Sequence, residues 1–312
     1  LFLDLKYMLD RDGKDKQSAY FDYIHHYGRT YLYENTAYLP LAFLTESELA
    51  EVDFTEGSVF KLQNRIFSAA TGLPENVWYT LSGSSLEITG QDVTVSDRNS
   101  SGYCSYSEGK KNSAVIYTYT VDQDGFLCVN LNLPKRNSVS ISLNGVELYT
   151  ESMSLPQMLA VGDVAVGDVV AVRMTCKENE KGTMTLTAAV LNNSRFREGY
   201  EILNASTLEL TTFRNTFVEG EITCDRDGLL YASIPQNGNW SVLVDGEEAE
   251  IKLVGDCMIG VELTEGTHTV TYVYRNAAFS LGWKISLGCA LLFSALCLLA
   301  YKPKMPKHPK GK

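Results

Sequence analysis

Five tyrosines, Tyr23, Tyr27, Tyr31, Tyr33 and Tyr38, are interleaved with His25, His26 and Arg29, the densest stretch of interaction chemistry in the chain. Phenol rings stack on the faces of sugars, and a guanidinium can grip phosphate in a forked geometry. The segment is therefore a candidate contact surface for a sugar or a polyprenyl phosphate, with Tyr31, Tyr33 and Tyr38 as possible glycan contacts. The plainer reading of YGRTYLYEN is that alternate tyrosines cover the apolar side of a strand. Adjacent residues of a strand point to opposite faces, which argues against a metal site built on His25 and His26. Trp240 opens an alternating strand two residues after Gly238 and is a fourth possible glycan contact, or else a core anchor.

The other reactive side chains are arranged less suggestively. Asp122-Gln-Asp124-Gly125 and Asp225-Arg-Asp227-Gly228 each carry two carboxylates two residues apart, as calcium loops do. Neither has the glutamate-terminated frame of such a loop, so a turn role is the better reading. Asp10, Asp12, Asp15 and Asp97 also lie at turn-like positions. Cys104, Cys128, Cys176, Cys224 and Cys257 form no CxxC or histidine-spaced pattern, so no zinc site or redox dithiol is indicated. Small buried thiols and one or two disulfides both remain open. No Gly-rich phosphate loop or GxSxG element occurs, no residue is nominated as catalytic, and no cofactor or metal is expected.

These residues must be held by elements that the patterning suggests. Residues 1–8 read as a strand and Asp12-Gly13 as a turn. A helix starts near Thr45 to Glu48 and closes at Gly57. Over 58–70, Val59, Leu62, Ile66 and Phe67 recur at helical spacing, and Thr71-Gly72-Leu73-Pro74 stops the run. From about residue 86 the period becomes two, in SVSISLNG, TMTLTAAV and NWSVLVDG, with Asn144-Gly145 and Asp245-Gly246 as tight hairpin turns. No continuous apolar run of the parallel-sheet kind is evident before residue 285.

Those stretches also repeat. Asp124-Gly125-Phe126-Leu127 returns 103 residues later as Asp227-Gly228-Leu229-Leu230, and Asn144-Gly145 returns 101 later as Asp245-Gly246. Each copy then has a proline loop (Pro134; Pro235), a glycine turn (Gly167; Gly266) and a last alternating strand. Order and spacing agree, which points to tandem domains. The expected class is mainly β: tandem antiparallel β-sandwich (jelly-roll-like) domains after a small α/β region, plus one C-terminal transmembrane helix. The boundaries are 1–85 for the mixed region, 86–200 and 201–278 for the sandwiches, 279–301 for the helix and 302–312 for a tail.

From Phe279 to Tyr301 the chain reads FSLGWKISLGCALLFSALCLLAY, with no charge among the 17 residues 285–301. A helix of that length spans roughly 30 Å, the hydrocarbon thickness of a bilayer. Trp283, Lys284, Tyr301 and Lys302 are the expected interface residues, the lysines snorkelling and the rings lying at the headgroups. The tail adds Lys304, Lys307, Lys310 and Lys312, so the positive-inside rule puts it in the cytoplasm and residues 1–278 outside the cell. The formal net charge is −11, and without Lys284 and the five tail lysines it is −17, which disfavours nucleic acid and anionic lipid as partners of the outer portion. LFLDLKYMLD carries no initiator Met, basic n-region or cleavage pattern, and the chain is expected to be the C-terminal piece of a longer one.

LDLKYML at 3–9, YLYENTAYLPLAFL at 31–44, VFKLQNRIFSAATG at 59–72, DGLLYASIPQNGNWSVLVDGEEA at 227–249 and GVELTEGTHTVTYVYRN at 260–276 resemble the C-terminal portion of YfhO-family bacterial membrane proteins. The glycine-led span from 282 fits the same order, and the middle, 86–200, is the least diagnostic part. The resemblance implies a multi-spanning protein with a GT-C type core that transfers sugars from polyprenyl-phosphate donors to envelope polymers such as teichoic acids. Its acidic catalytic residues are expected in an external loop near the start of that core, and none of these residues matches that motif. What the resemblance passes on is membrane placement and envelope context. It implies as partners membrane lipid, the upstream transmembrane core and a cell-envelope glycan acceptor that this region would hold. A non-catalytic scaffold or protein-interaction module is the competing expectation.

Overall fold

The computed structural model describes residues 1–11, 20–55, 57–74, 76–81, 85–89, 94–96, 103–107, 113–132, 137–153, 156–176, 178 and 182–300. The expected turn at Asp12-Gly13, together with Asp15, Asp97, Pro134, Tyr301, Lys302 and the rest of the lysine tail, lies outside the described residues. The chain is mainly β, with few helices and one long apolar helix at its end.

Two antiparallel sheets face each other across residues 85–191. One orders the strands Gln157–Val164, Gly125–Asn132, Gly182–Leu191, Tyr103–Ser107 and Thr94–Ser96, with Trp78–Thr80 also paired to Gly182–Leu191. The other orders Val146–Met153, Asn137–Leu143, Val169–Thr175, Ala114–Thr120 and Ser85–Thr89. Val139, Ile141, Val172, Met184, Leu186, Ala188 and Val190 alternate inward and share one core between the sheets. A second pair follows the same plan. Glu209–Arg214, Phe217–Cys224, Gly266–Tyr274, Trp240–Val244 and Glu247–Ala249 face Lys252–Val254, Met258–Leu263, Gly228–Pro235 and Ala42–Thr45. Ile222, Leu230, Val242, Ile259, Val270 and Tyr272 fill that core. Among the described residues no sheet closes into a barrel.

The hairpins form where turn chemistry requires. Asn144 and Gly145 have φ of 51° and 81°, Asp245 and Gly246 have 53° and 87°, and the flanking residues pair as Leu143↔Val146 and Val244↔Glu247. Two consecutive left-handed residues make a turn whose twist matches that of the strands, which is why Asn-Gly and Asp-Gly stand there.

Three elements differ from the sequence reading. The first strand begins at Tyr7, not at Leu1, and spans Tyr7–Arg11. The helix near residue 47 is a single 3-10 turn, Ser47–Glu51, because Asp53 takes the Thr55 N–H and starts a turn instead. Gly125–Val129 and Gly228–Ala232 are each buried over five consecutive residues rather than alternately. The cause is a helical layer outside the sheets. Leu127 and Val129 enter the inter-sheet core while Phe126 and Cys128 pack outward under α1 (Val59–Thr71). Leu230 and Ala232 likewise face in while Leu229 and Tyr231 pack against Leu49, Ala70 and Leu203.

α1 buries Phe60, Asn64, Phe67 and Ala70, one stripe at helical spacing, and ends on Gly72 at φ 72° with its N–H bonded to the Ser68 carbonyl. Asn64 acts as a piece of sheet: its side chain accepts from the Trp78 N–H at 2.7 Å and donates to the Trp78 carbonyl at 2.8 Å. α2 (Asn193–Asn204) is capped by Asn192, which accepts from the Arg195 N–H at 3.0 Å, and packs on α1. Strand Ala42–Thr45 ends its sheet, pairing with Gly228–Pro235 while Thr45 donates to the Leu229 carbonyl at 3.0 Å. A smaller sheet, ordered Tyr7–Arg11, Thr30–Asn35, Phe21–Tyr27, carries the tyrosine-rich segment. α3 (Ala277–Ala300) is 24 residues long and buries none of its apolar surface against the rest of the chain. At 1.5 Å per residue it reaches roughly 36 Å, enough to cross a bilayer.

Candidate functional site

The small sheet assembles an aromatic face. Register places Tyr23 opposite Tyr33 and His26 opposite Tyr31. The Tyr23 hydroxyl lies 2.7 Å from His26 Nδ1, the Tyr23 ring is 6.2 Å from that of Tyr31 and 5.9 Å from that of Tyr33, and His26 stacks on Tyr31 at 5.1 Å and 23°. Tyr27, 89% exposed, pairs with Thr30 at the turn, one position beyond His26. Tyr31 and Tyr33 are thus brought together, half-buried, with Tyr23 and His26 completing the group. The rings of His25 and His26 stand 5.9 Å apart and stack at 25°, beside the register shift between Tyr23 and His25 that breaks the simple alternation.

The other two candidate glycan contacts lie elsewhere. Tyr38 donates to Asp4 Oδ1 at 2.7 Å, has Lys6 Nζ 5.7 Å from its ring centre, and receives the Tyr200 hydroxyl at its carbonyl. Burial, then the bond to Asp4, pushes its phenol up to about 12. Tyr38 therefore ties the N-terminal segment to the body. Trp240 stands on a different sheet, against the second core, and meets Tyr274 edge-on at 5.0 Å and 66°. Trp283 and Lys284 lie exposed on α3.

Two cavities escaped the sequence reading because their walls come from remote segments. An apolar one of about 560 Å³ lies between the N-terminal segment, α1 and both pairs of sheets, with Leu5, Phe21, Phe54, Ile66, Phe196 and Met258 in its wall. A more polar cleft of about 340 Å³ is edged by Lys61, Asn76, Trp78, Asp122 and Gln123. The Trp-Tyr pair after the helix stop at Pro74 was the one local hint of it.

The aspartates of the repeat serve turns. Asp124 Oδ1 accepts from the Val166 N–H at 2.8 Å, and Asp227 Oδ1 accepts from the Glu265 N–H at 2.7 Å. Asp225 instead pairs with Arg226 at 2.9 Å. Burial pushes the Cys128 thiol up to about 12 and the Cys224 thiol up to about 11, so neither supplies a thiolate near neutral pH. Cys257 is exposed. Among the described residues no group of three or more His, Cys, Asp or Glu side chains could hold a metal ion.

No curated protein matches the chain. Among solved structures it is similar to a cycloisomaltooligosaccharide glucanotransferase from a Paenibacillus species complexed with cycloisomaltoheptaose, at 7% identity and TM-score 0.24, over 68% of this chain and 49% of that one. It is also similar to an α-L-rhamnosidase from Streptomyces avermitilis complexed with L-rhamnose, at 10% identity and TM-score 0.26, over 80% of this chain and 27% of that one. This chain spans less than half the length of either, and likenesses this slight carry nothing about its chemistry. The model of the bacterial membrane protein YfhO family matches residues 1–286, which is most of the length and includes the start of α3. The chain belongs to the YfhO family of bacterial membrane proteins.

Proposed function

We propose that this chain is the extracytoplasmic C-terminal region of a multi-spanning protein engaged in polyprenyl-phosphate-dependent glycosylation of a cell-envelope polymer, and that this region binds or positions the glycan acceptor. In this reading the paired sheets are tandem β-sandwich domains over 86–200 and 201–278, and the lysine tail holds α3 with its end in the cytoplasm. The observation that carries the acceptor role is the aromatic face on which Tyr23, His26, Tyr31 and Tyr33 gather. Flat rings on a sheet offer stacking surface for sugar faces, and the Tyr23–His26 pair supplies polar atoms for hydroxyls. This region performs no bond-breaking step in the proposal; a GT-C type core upstream would do so, while the sheets hold the acceptor chain in place.

Titration of the chain in detergent micelles with teichoic-acid fragments tests this. Saturable binding that weakens at least tenfold in Tyr31→Ala and Tyr33→Ala, and survives in Trp240→Phe, supports the acceptor role. No saturable binding by the unaltered chain would favour the alternative, a non-catalytic scaffold or protein-interaction module of the envelope.

A further inference from the structure

The second pair of sheets has two chemically different ends, and the covalent connection to α3 decides which one meets lipid. Strand Gly266–Tyr274 runs from one end to the other, about 27 Å at the usual rise of a strand. At its start lie Asp225, Asp227 and Glu265, gathered by the pairing Cys224↔Gly266 and by the Asp227–Glu265 turn bond, while Asp245 and Glu247 stand nearer its middle, where Val244 pairs with Val270. At its finish the chain reaches Ala277, the first residue of α3, three residues after Tyr274. Three residues extend at most roughly 10 Å.

That connection is fixed rather than slack. The Tyr274 N–H donates to the Thr216 carbonyl at 2.9 Å and the Arg275 N–H to the Asn239 carbonyl at 2.8 Å. Asn276 then caps the helix, accepting from the Phe279 N–H at 2.8 Å. Ser280, one turn in, is half-buried although the rest of α3 from Ala277 is exposed. The rim that faces the bilayer therefore consists of the Phe213–Phe217 hairpin, the Gln236–Trp240 loop and the Gly255–Cys257 turn, which the Gln236 N–H joins through the Cys257 carbonyl at 2.7 Å.

Its composition suits headgroups. Phe213 is 69% exposed, and the Trp240–Tyr274 pair is half-buried at the same end. Arg214 and Arg275 are exposed there, Lys284 follows on α3, and Asp256 and Glu250 are the opposing charges. Indole and phenol rings partition to the membrane interface, and each cation near an anionic surface adds attraction of about 1 kcal/mol. Asp225, Asp227 and Glu265 stand a full strand length away, well beyond a Debye length of about 10 Å, so their repulsion is screened at the bilayer.

We propose that this rim, with Trp240, Tyr274, Phe213, Arg214 and Arg275, lies in the headgroup layer of an anionic bilayer and fixes the orientation of the body above it. Trp240 is then a lipid-facing anchor, not a glycan contact. The chain has three tryptophans, Trp78, Trp240 and Trp283, which makes the test direct. The full chain is reconstituted into vesicles containing phosphatidylglycerol and lipids brominated near the headgroup end of their chains, with each tryptophan left alone by Trp→Phe changes at the other two. Bromolipid quenching should be strong for Trp283, clear for Trp240 and at background for Trp78. Arg214→Glu with Arg275→Glu should lower the quenching of Trp240 at least twofold and leave that of Trp283 unchanged, which also reports that the chain is still inserted. Quenching of Trp240 no greater than that of Trp78 overturns the proposal, and so does quenching indifferent to the charge reversal.

Discussion

His268 Nδ1 stands 2.8 Å from the carboxylate of Asp245, at the place where Asn144 meets Asp168 in the preceding pair of sheets. The backbone agrees. Asn144 accepts from the Val169 N–H and Asp245 from the Thr269 N–H, both at 2.9 Å. One turn geometry has thus been built twice with its polar partners exchanged, and only the second version contains a histidine.

That difference gives the second pair of sheets its own pH response. The bond to Asp245 raises the pKa of His268, so its contribution is complete below the ordinary histidine value of about 6.5 and is lost as pH rises through the folded value. The bond from His268, then the Thr269 N–H, lowers the pKa of Asp245, so its contribution is complete above about 4 and is lost as pH falls through the folded value. The pair therefore stabilises most between about pH 4 and 6.5. Asp245→Asn keeps an Asn-Gly turn like Asn144-Gly145 and removes only the charge. Its Tm deficit should be largest near pH 5.5 and shrink toward pH 8; a deficit that grows toward pH 8 would contradict the assignment.

Gly199 is the contact point of α1 and α2. A Cβ there would run into the ring of Phe67, which itself stacks on Phe196 at 6.3 Å and 15°. Alanine gains about 1 kcal/mol over glycine in helix propensity, but overpacking costs about 1–3 kcal/mol. Gly199→Ala should therefore lower stability on denaturant unfolding, and Phe67→Leu in the same chain should restore part of the loss.

Tyr272 is fully buried, and its hydroxyl finds no hydrogen-bond partner among the described residues. Burial also pushes its phenol pKa up. Since an unsatisfied buried hydroxyl costs about 1–3 kcal/mol, Tyr272→Phe should raise stability by about 1 kcal/mol. A clear loss on denaturant unfolding would show that the hydroxyl is satisfied.

Strand Ala42–Thr45 closes a sheet whose other strands come from residues 228–263. Deleting residues 1–45 exposes the edge of Gly228–Pro235 and the apolar side chains Leu229 and Tyr231. Limited proteolysis should cut such a chain within 228–263, a region protected in the unaltered chain.

Much of this architecture could be read locally. Asn144-Gly145 and Asp245-Gly246 announce their hairpins because their dihedral demands are met by so few residue pairs. The stripe Phe60, Asn64, Phe67 and the apolar run of α3 follow from one helical period and one hydrophobic length. What stayed hidden depends on distant partners. Nothing near Ala42 signals that it pairs with Ala232, and Gly125–Val129 looks like an irregular strand until the helix over its outer face is known. The spacing of Tyr31 and Tyr33 pointed to the aromatic face, but the register shift that brings His25 and His26 into stacking did not show. Trp240 was read by its residue type, whereas its place is set by pairing with Tyr274, 34 residues later.

The proposed placement of the body outside the cell, above α3, can be reported by Cys257. This thiol is exposed in the Gly255–Cys257 turn, Cys128, Cys176 and Cys224 are buried, and Cys289 and Cys297 lie on α3. In a Cys104→Ser background, intact bacterial cells producing the protein are treated with a membrane-impermeant maleimide. Labelling without permeabilisation, abolished by Cys257→Ser, is the predicted result; labelling that occurs only after the membrane is breached would contradict the account.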